Sequence, residues 1–157
     1  MTAERTDIVA ALEGRLATTI PDGVVSVVPG KILVVTVRAD KVSQVCDYLK
    51  TTPGLEFNYL ANLTAVDRLD CFEVVYHLYS LRLGHSLVVK AQVDRDRPWV
   101  PSVTGVWRGA DYQEREAYDM FGITFAGHPD LRRILLYDEF EGYPLRKDFG
   151  LPAWLPG

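Results

Sequence analysis

The chain has few of the residues that carry redox, nucleotide or membrane chemistry. Cys46 and Cys71 are its only cysteines. Without a CxxC or four thiolates they cannot hold an iron–sulfur cluster, and isolated thiols fit a reducing compartment. No GxGxxG and no GK[ST] occurs, so neither a dinucleotide-binding loop nor a P-loop is supported. His77, His85 and His128 share no ligand spacing with one another or with the cysteines, which leaves no metal motif. Excess positive charge is also missing. Seventeen Lys and Arg against twenty-one Asp and Glu give a net charge of −4, which argues against a general affinity for nucleic acid or anionic membrane. The longest apolar runs, around Val24–Val28 and Ile32–Val37, are too short to cross a bilayer. The first residues, with Glu4, Arg5 and Asp7, do not form a basic-then-apolar export signal, so the expectation is a chain that stays in the cytoplasm.

What is present is an ordinary globular composition. The 157 residues are 48% hydrophobic and 24% charged, enough for one domain with its own core. Ile8, Ala11, Leu12 and Leu16 recur at helical spacing and predict a first helix ending before Pro21. The β-branched runs either side of Pro29–Gly30–Lys31 predict a hairpin. Asp40 is placed to cap a second helix with an apolar stripe of Val42, Val45, Cys46 and Leu49, ended by Pro53–Gly54. Cys46 is therefore read as a small core hydrophobe. Residues 57–68 read as part helix or a loop ending in a short strand. Phe72–Arg82 alternates as a strand, with Phe72, Val74, Tyr76 and Leu78 on one face, and pairs with Ser86–Val93 across Gly84–His85. After Asp94–Pro101 the sheet pattern stops. This order predicts an α+β two-layer sandwich, a mainly antiparallel sheet with helices on one face, followed by a helix and an extended, irregular C-terminal segment.

Charge divides the chain. Residues 1–107, the α+β globular body, carry 23 charged side chains, whereas residues 108–149 carry 15 in 42 and residues 150–157 form an apolar tail. Asp111 and Glu114 have capping-box spacing, predicting a helix over about 111–121 with Gly122 as its stop. That helix is polar nearly all round, with a narrow strip of Ala117, Tyr118 and Phe121. This fits either an exposed helix with an Arg115–Asp119 pair or a helix between two bodies. The stretch beyond it is punctuated by Gly127, Pro129, Gly142 and Pro144, and holds the basic doublets Arg132–Arg133 and Arg146–Lys147 and the acids Asp138, Glu139 and Glu141. So long an irregular segment in a compact domain is usually functional or docked.

Three consecutive blocks within it, QEREAYDMFGITF at 113–125, AGHPDLRRILL at 126–136 and GYPLRKDF at 142–149, resemble the 30-kDa-type subunit (the C-type subunit) of respiratory complex I. NYLANLTAVDR at 58–68, EVVYHLYSL at 73–81 and VPSVTGVW at 100–107 are similar to the same family. The resemblance implies a non-catalytic structural subunit of the hydrophilic arm of a proton-translocating NADH:quinone oxidoreductase. It would be peripheral, on the cytoplasmic side of the cell membrane, docked on the 49-kDa-type subunit near the quinone site, and would meet the membrane only through the complex. NADH, FMN, iron–sulfur clusters and quinone would belong to other subunits, with no cofactor here. The residues that match the family's signature, with an implied role in docking and local architecture, are Arg108, Glu114, Arg115, Glu116, Tyr118, Asp119, Phe121 and Gly122, then His128, Pro129, Asp130, Arg132 and Arg133, then Tyr143, Pro144, Leu145, Arg146, Lys147 and Asp148. Many relatives continue past the last block, so any tail wrapping a partner here would be short, with Phe149, Leu151, Trp154 and Leu155 able to dock.

Other classes fit less well. The equivalent subunit of a membrane-bound hydrogenase or ferredoxin-fed relative is hard to separate on this chain alone. Acid pairs would suit a free-standing hydrolase only if held across a cleft. Trp99 and Trp107 among Arg95, Arg97 and Arg108 would suit an RNA-binding sandwich, but the net charge and the lack of an RNP-like strand oppose it. His77 reads as half-buried, and His128 as a loop brace.

Overall fold

The computed structural model describes Leu12 and residues 14–150. The expectations placed on Ile8, Ala11, Leu151, Trp154 and Leu155 lie outside the described residues. The first helix, α1, is described over residues 14–19 and buries Leu12 and Leu16, the inward half of the predicted stripe. It ends before Pro21, as proline at that place requires.

Five strands form one sheet: β1 (Val24–Val28), β2 (Leu33–Arg38), β3 (Tyr59–Asp67), β4 (Cys71–Ser80) and β5 (His85–Asp94), in the order β1-β2-β5-β4-β3. β1 and β2 are the predicted hairpin, and β4 and β5 pair antiparallel as predicted, Tyr76 opposite Val89. The β4–β5 turn, however, lies at residues 81–84, and His85 already belongs to β5, opposite Ser80. The single parallel pair, β2 with β5, makes the sheet mixed. It arises because helix α2 (Val42–Thr51) carries the chain across the helical face to the far edge. The β3–β4–β5 meander then brings it back beside β2. One face of the sheet packs under the helices through Val35, Val37, Phe72, Val74, Tyr76, Leu78, Val89 and Ala91, all at most 1% exposed. The stripe of α2 is buried as its periodicity demands, and Cys46 lies within it.

Four further expectations are corrected. Residues 57–68 hold no helix, and the strand expected only at their end is the nine-residue edge strand β3, which leaves Phe57, Asn58 and Arg68 outside it. A bulge between Leu60 and Asn62 breaks its alternation, which removes the period-2 signal from the sequence. Asp40 does not cap α2: it sits in a 3₁₀ turn, Ala39–Lys41, its carboxylate pairs with Arg38 at 3.2 Å, and the backbone starts the helix instead. The sheet pattern does not stop at Pro101, because β6 (Trp99–Pro101) pairs in parallel with β7 (Thr124–Ala126). Helix α3 (Ala110–Phe121) starts at Gly109 without a side-chain cap. Asp111 and Glu114 therefore form no capping box: Glu114 is turned into the core.

Helix α3 lies along β3, where Gln113 Oε1 accepts the Leu63 N–H at 2.5 Å and covers that sheet edge. Gly122 ends α3 in the left-handed conformation, φ 76°, as predicted. From residue 127 to 150 the chain has neither helix nor strand. This strap runs back over α3 and the end of the sheet.

Candidate functional site

The signature residues converge on the strap, and three buried carboxylates organise them. Asp119, fully buried on α3, accepts the backbone N–H groups of Ile134, Leu135 and Leu136 at 3.2, 2.7 and 3.0 Å. Arg133 adds an ion pair at 2.9 Å. Burial alone would raise the pKa of Asp119, but those four donors outweigh it and hold the carboxyl below its ordinary 3.8. The expected Arg115–Asp119 pair is therefore corrected: Arg133 takes Asp119, and Arg115 donates to the carbonyls of Arg132 and Arg133 at 3.3 and 3.4 Å. Three consecutive N–H groups with no partner of their own are satisfied by one side chain.

The second node lies at the far end of the strap. Asp67, at the end of β3 and 4% exposed, pairs with Arg95 and accepts the N–H of Leu69 and of Lys147, each at 2.8 Å. The Arg95 guanidinium, with the two N–H donors, keeps this carboxyl well below its ordinary range against the opposing effect of burial. Arg95 also reaches Asp148 at 2.8 Å, so it joins the β5 end, the β3 end and the strap.

Between the nodes, aromatic rings and guanidinium groups interleave. Arg146 donates to the Phe121 carbonyl at 2.7 Å and lies over Phe72 and Tyr143, 5.0 and 4.9 Å from their centroids. Arg133 lies 5.1 Å from the Tyr143 centroid and donates to the Gly142 carbonyl. Such contacts are worth about 1–2 kcal/mol when desolvated. The Tyr143 ring comes so close to Gly122 that a Cβ there would sit 2.6 Å from it, so position 122 is glycine for space as well as for φ. Phe121 meets Phe72 edge to face at 5.9 Å. Phe149, the described part of the predicted apolar tail contact, stacks on Phe140 inside the strap.

The third carboxylate, Glu114, differs from the other two. It is fully buried and has no cation among its hydrogen-bond and ion-pair partners. Its partners are the Ser102 hydroxyl, at 2.6 and 2.9 Å, and the Val103 N–H, at 3.1 and 3.3 Å. Burial pushes its pKa from 4.5 up to about 7, with those hydrogen bonds opposing the rise. His128 braces the start of the strap. Its Nδ1 accepts the Asp130 N–H at 2.9 Å, so Nε2 carries the proton and donates to the Asp111 carboxylate at 2.9 Å.

The signature divides by direction. Glu114, Asp119 and Phe121 are buried, and Tyr118, Arg133, Tyr143, Pro144 and Arg146 are half-buried. Arg108, Glu116, Pro129, Asp130, Arg132, Leu145, Lys147 and Asp148 are exposed, although Asp130 holds Arg132 and Asp148 holds Arg95. Each basic doublet has one arginine facing in and one cation facing out. Asp67, Arg95, Ser102, Val103 and Gln113 complete the network and are absent from the signature read off the sequence. For Asp67, Ser102, Val103 and Gln113 the available signal was membership of the blocks at 58–68, 100–107 and 113–125.

Among the described residues no group of three or more His, Cys, Asp or Glu is placed to hold a metal ion, and no helix is long and apolar enough to cross a membrane. The buried carboxylates face backbone and guanidinium groups rather than each other across a cleft. The geometry defines an α+β sheet domain on whose surface Asp119, Asp67, Arg133 and Arg146 fix an irregular strap. The family described as the 30 Kd subunit of respiratory-chain NADH dehydrogenase matches residues 35–153, and the chain belongs to that family. It is 50% identical over 124 residues to one of the C-type subunits of NADH-quinone oxidoreductase in Rhizobium etli, covering 77% of this chain and 66% of that one. It is 46% identical over 143 residues to the C-type subunit of the same enzyme in a Roseiflexus species, covering 88% and 82%. Solved structures share the fold, among them the following two. Nqo5, in its trypsin-resistant fragment (1-134), superposes with a TM-score of 0.64 at 30% identity, covering 83% of this chain and all of that one. A chain of the membrane-bound sulfane sulfur reductase, an archaeal respiratory membrane complex, superposes with a TM-score of 0.72 at 28% identity, covering 92% and 87%.

Proposed function

We propose that this chain is a non-catalytic structural subunit of a proton-translocating NADH:quinone oxidoreductase, docked through its strap on the 49-kDa-type subunit near the quinone site. NADH, FMN, iron–sulfur clusters and quinone are then handled by other subunits, and this one holds its neighbours in register at the cytoplasmic side of the cell membrane. The observation that carries the reading is the outward face of the strap. Leu135, Tyr137 and Leu145 are 54%, 65% and 53% exposed on a segment already fixed by Asp119 and Asp67. Rigid apolar side chains of this kind suit a partner contact, because little ordering entropy is left to lose on binding. The double substitution Leu135→Ser with Tyr137→Ser tests it. The variant is expected to fold with the wild-type melting temperature and to lose co-purification with a tagged 49-kDa-type subunit; recovery at wild-type yield rejects the docking role. The purified chain is also expected to show no visible flavin or iron–sulfur absorbance.

A second reading places the chain as the equivalent subunit of a ferredoxin-fed or hydrogenase-like relative. The likeness to a chain of the sulfane sulfur reductase complex supports it. Identifying the electron-input subunits that co-purify with the chain separates the two.

A further inference from the structure

Two carboxylates among the described residues have 0% exposure, and only one of them meets a cation. Asp119 pairs with Arg133, whereas Glu114 is bonded to the Ser102 hydroxyl and the Val103 N–H alone. Those partners open residues 102–109, the stretch between β6 and α3 that has neither helix nor strand. Its second half is anchored elsewhere: Lys50 donates to the Val106 carbonyl at 2.6 Å, and the Trp107 indole N–H to the Phe57 carbonyl at 3.1 Å. Its first half is held to α3 by Glu114. Ser102 Oγ also lies 2.8 Å from the Thr104 hydroxyl and accepts the Thr104 N–H at 3.1 Å. Ser102 and Thr104 are half-buried and Gly105 is exposed, so hydroxyls lead from the buried carboxyl toward the surface. A neutral carboxyl suits this site, donating to Ser102 while accepting the Val103 N–H. An ionised one is a desolvated charge with no counter-ion, and water reaches it most directly through residues 102–105. The groups around it do not neutralise that charge. Cys46 of α2 and Tyr76 of β4 lie within electrostatic reach of it, and burial pushes both titrations upward, so both stay neutral. Asp111, one turn earlier on α3, opposes ionisation. None of the ion pairs among the described residues reaches Glu114 from β3, β6 or residues 102–109, where Arg108 is exposed.

We propose that Glu114 is a proton-controlled latch: its neutral carboxyl holds residues 102–105 closed on α3, and its ionisation loosens them so that water reaches the carboxylate. The inference stands apart from the docking reading. The closed carboxyl keeps its proton up to about pH 7 and the hydrated one releases it near 4.5, so opening gains across that window and levels off above it. Hydrogen exchange of the Val103 and Thr104 amides, resolved by NMR in the purified full chain and corrected for intrinsic rates, reads the opening directly. Its equilibrium constant is expected to rise about tenfold or more between about pH 5 and about pH 7, then to stay level to about pH 8. Low urea is expected to leave that rise unchanged, because a local opening exposes little surface, while the Tyr76 amide of β4 exchanges by urea-dependent global unfolding. Glu114→Gln keeps the shape and both kinds of hydrogen-bonding atom, and is expected to flatten the Val103 profile. The Glu114 Cδ resonance of the wild type is a readout that does not rely on the variant folding, and is expected to titrate at about pH 7. The latch is overturned by a flat Val103 profile in the wild type or by a rise seen only through urea-dependent unfolding. A rise that persists in Glu114→Gln, or a Cδ titration near 4.5, overturns it equally.

Discussion

The sheet and the strap are stabilised by opposite means. The five-stranded body buries mainly valines, leucines and phenylalanines, and on the inner face of β4 the wholly buried Tyr76 has a hydroxyl without a partner. The strap has no ladder of its own, and buried carboxylates collect the N–H groups that a ladder would otherwise have satisfied. Apolar packing is tolerant, because many contacts of similar size share the load. A carboxylate accepting three N–H groups is not, because removing it strands every donor at once. The body is therefore expected to absorb single substitutions, and the strap to fail as a unit at a few points.

The largest expected effect follows from Asp119→Ala, which leaves Arg133 and three N–H groups without their acceptor. A loss of about 3–5 kcal/mol is expected in urea unfolding, with early proteolysis in residues 131–137. Unchanged stability would show that the strap is held by its apolar contacts after all. Next comes Gly122→Ala, which combines a φ of 76° with a collision on Tyr143 and should cost about 2–3 kcal/mol. Gly105→Ala, where a Cβ meets nothing within 4 Å, should change stability by less than about 0.5 kcal/mol. Equal effects at the two glycines would break the distinction.

Protonation sharpens the same contrast. Glu114 keeps its proton in the native state up to about pH 7, whereas the unfolded chain releases it near 4.5. The native state thus binds more protons across that window, and stability falls as pH rises from 4.5 to about 7, by at most about 3 kcal/mol. Asp119 and Asp67 act in the other direction. Their folded pKa values lie below the ordinary 3.8, so the stability they supply is present above it and is lost as pH falls through the folded values. Glu114→Gln should flatten the decline above pH 4.5 and leave the acid limb in place, as read by melting temperature against pH. The smallest effect belongs to Arg132→Ala. This exposed side chain pairs only with exposed Asp130, and its removal should shift stability by less than about 0.5 kcal/mol. Arg146→Glu breaks a bond to the Phe121 carbonyl and two ring contacts, so the two basic doublets cannot be treated as equivalent surface charges.

Much of the body was legible from the chain. The α2 stripe, the β1–β2 hairpin and the β4–β5 pairing follow from local periodicity, and periodicity survives wherever one face is buried. β3 was not legible, because its bulge shifts the pattern by one residue. The capping box at Asp111 and Glu114 was misread for a related reason. Its spacing is real, but Ser102 and Val103, which occupy Glu114, arrive from a separate stretch of chain. The direction of each signature charge was hidden for the same cause: Arg132 and Arg133 are neighbours in sequence and differ only in which one meets Asp119.

The order of residues by itself determined the class of fold, the membership of the family and the location of the signature. Each of these depends on patterns within a window or on blocks in series. Which carboxylate is structural, which arginine points inward and which side chains stay free for a partner were decided only by the tertiary structure. Those outcomes depend on desolvation and on donors brought together from distant positions, as when Asp67 meets Lys147. No local spacing encodes that meeting.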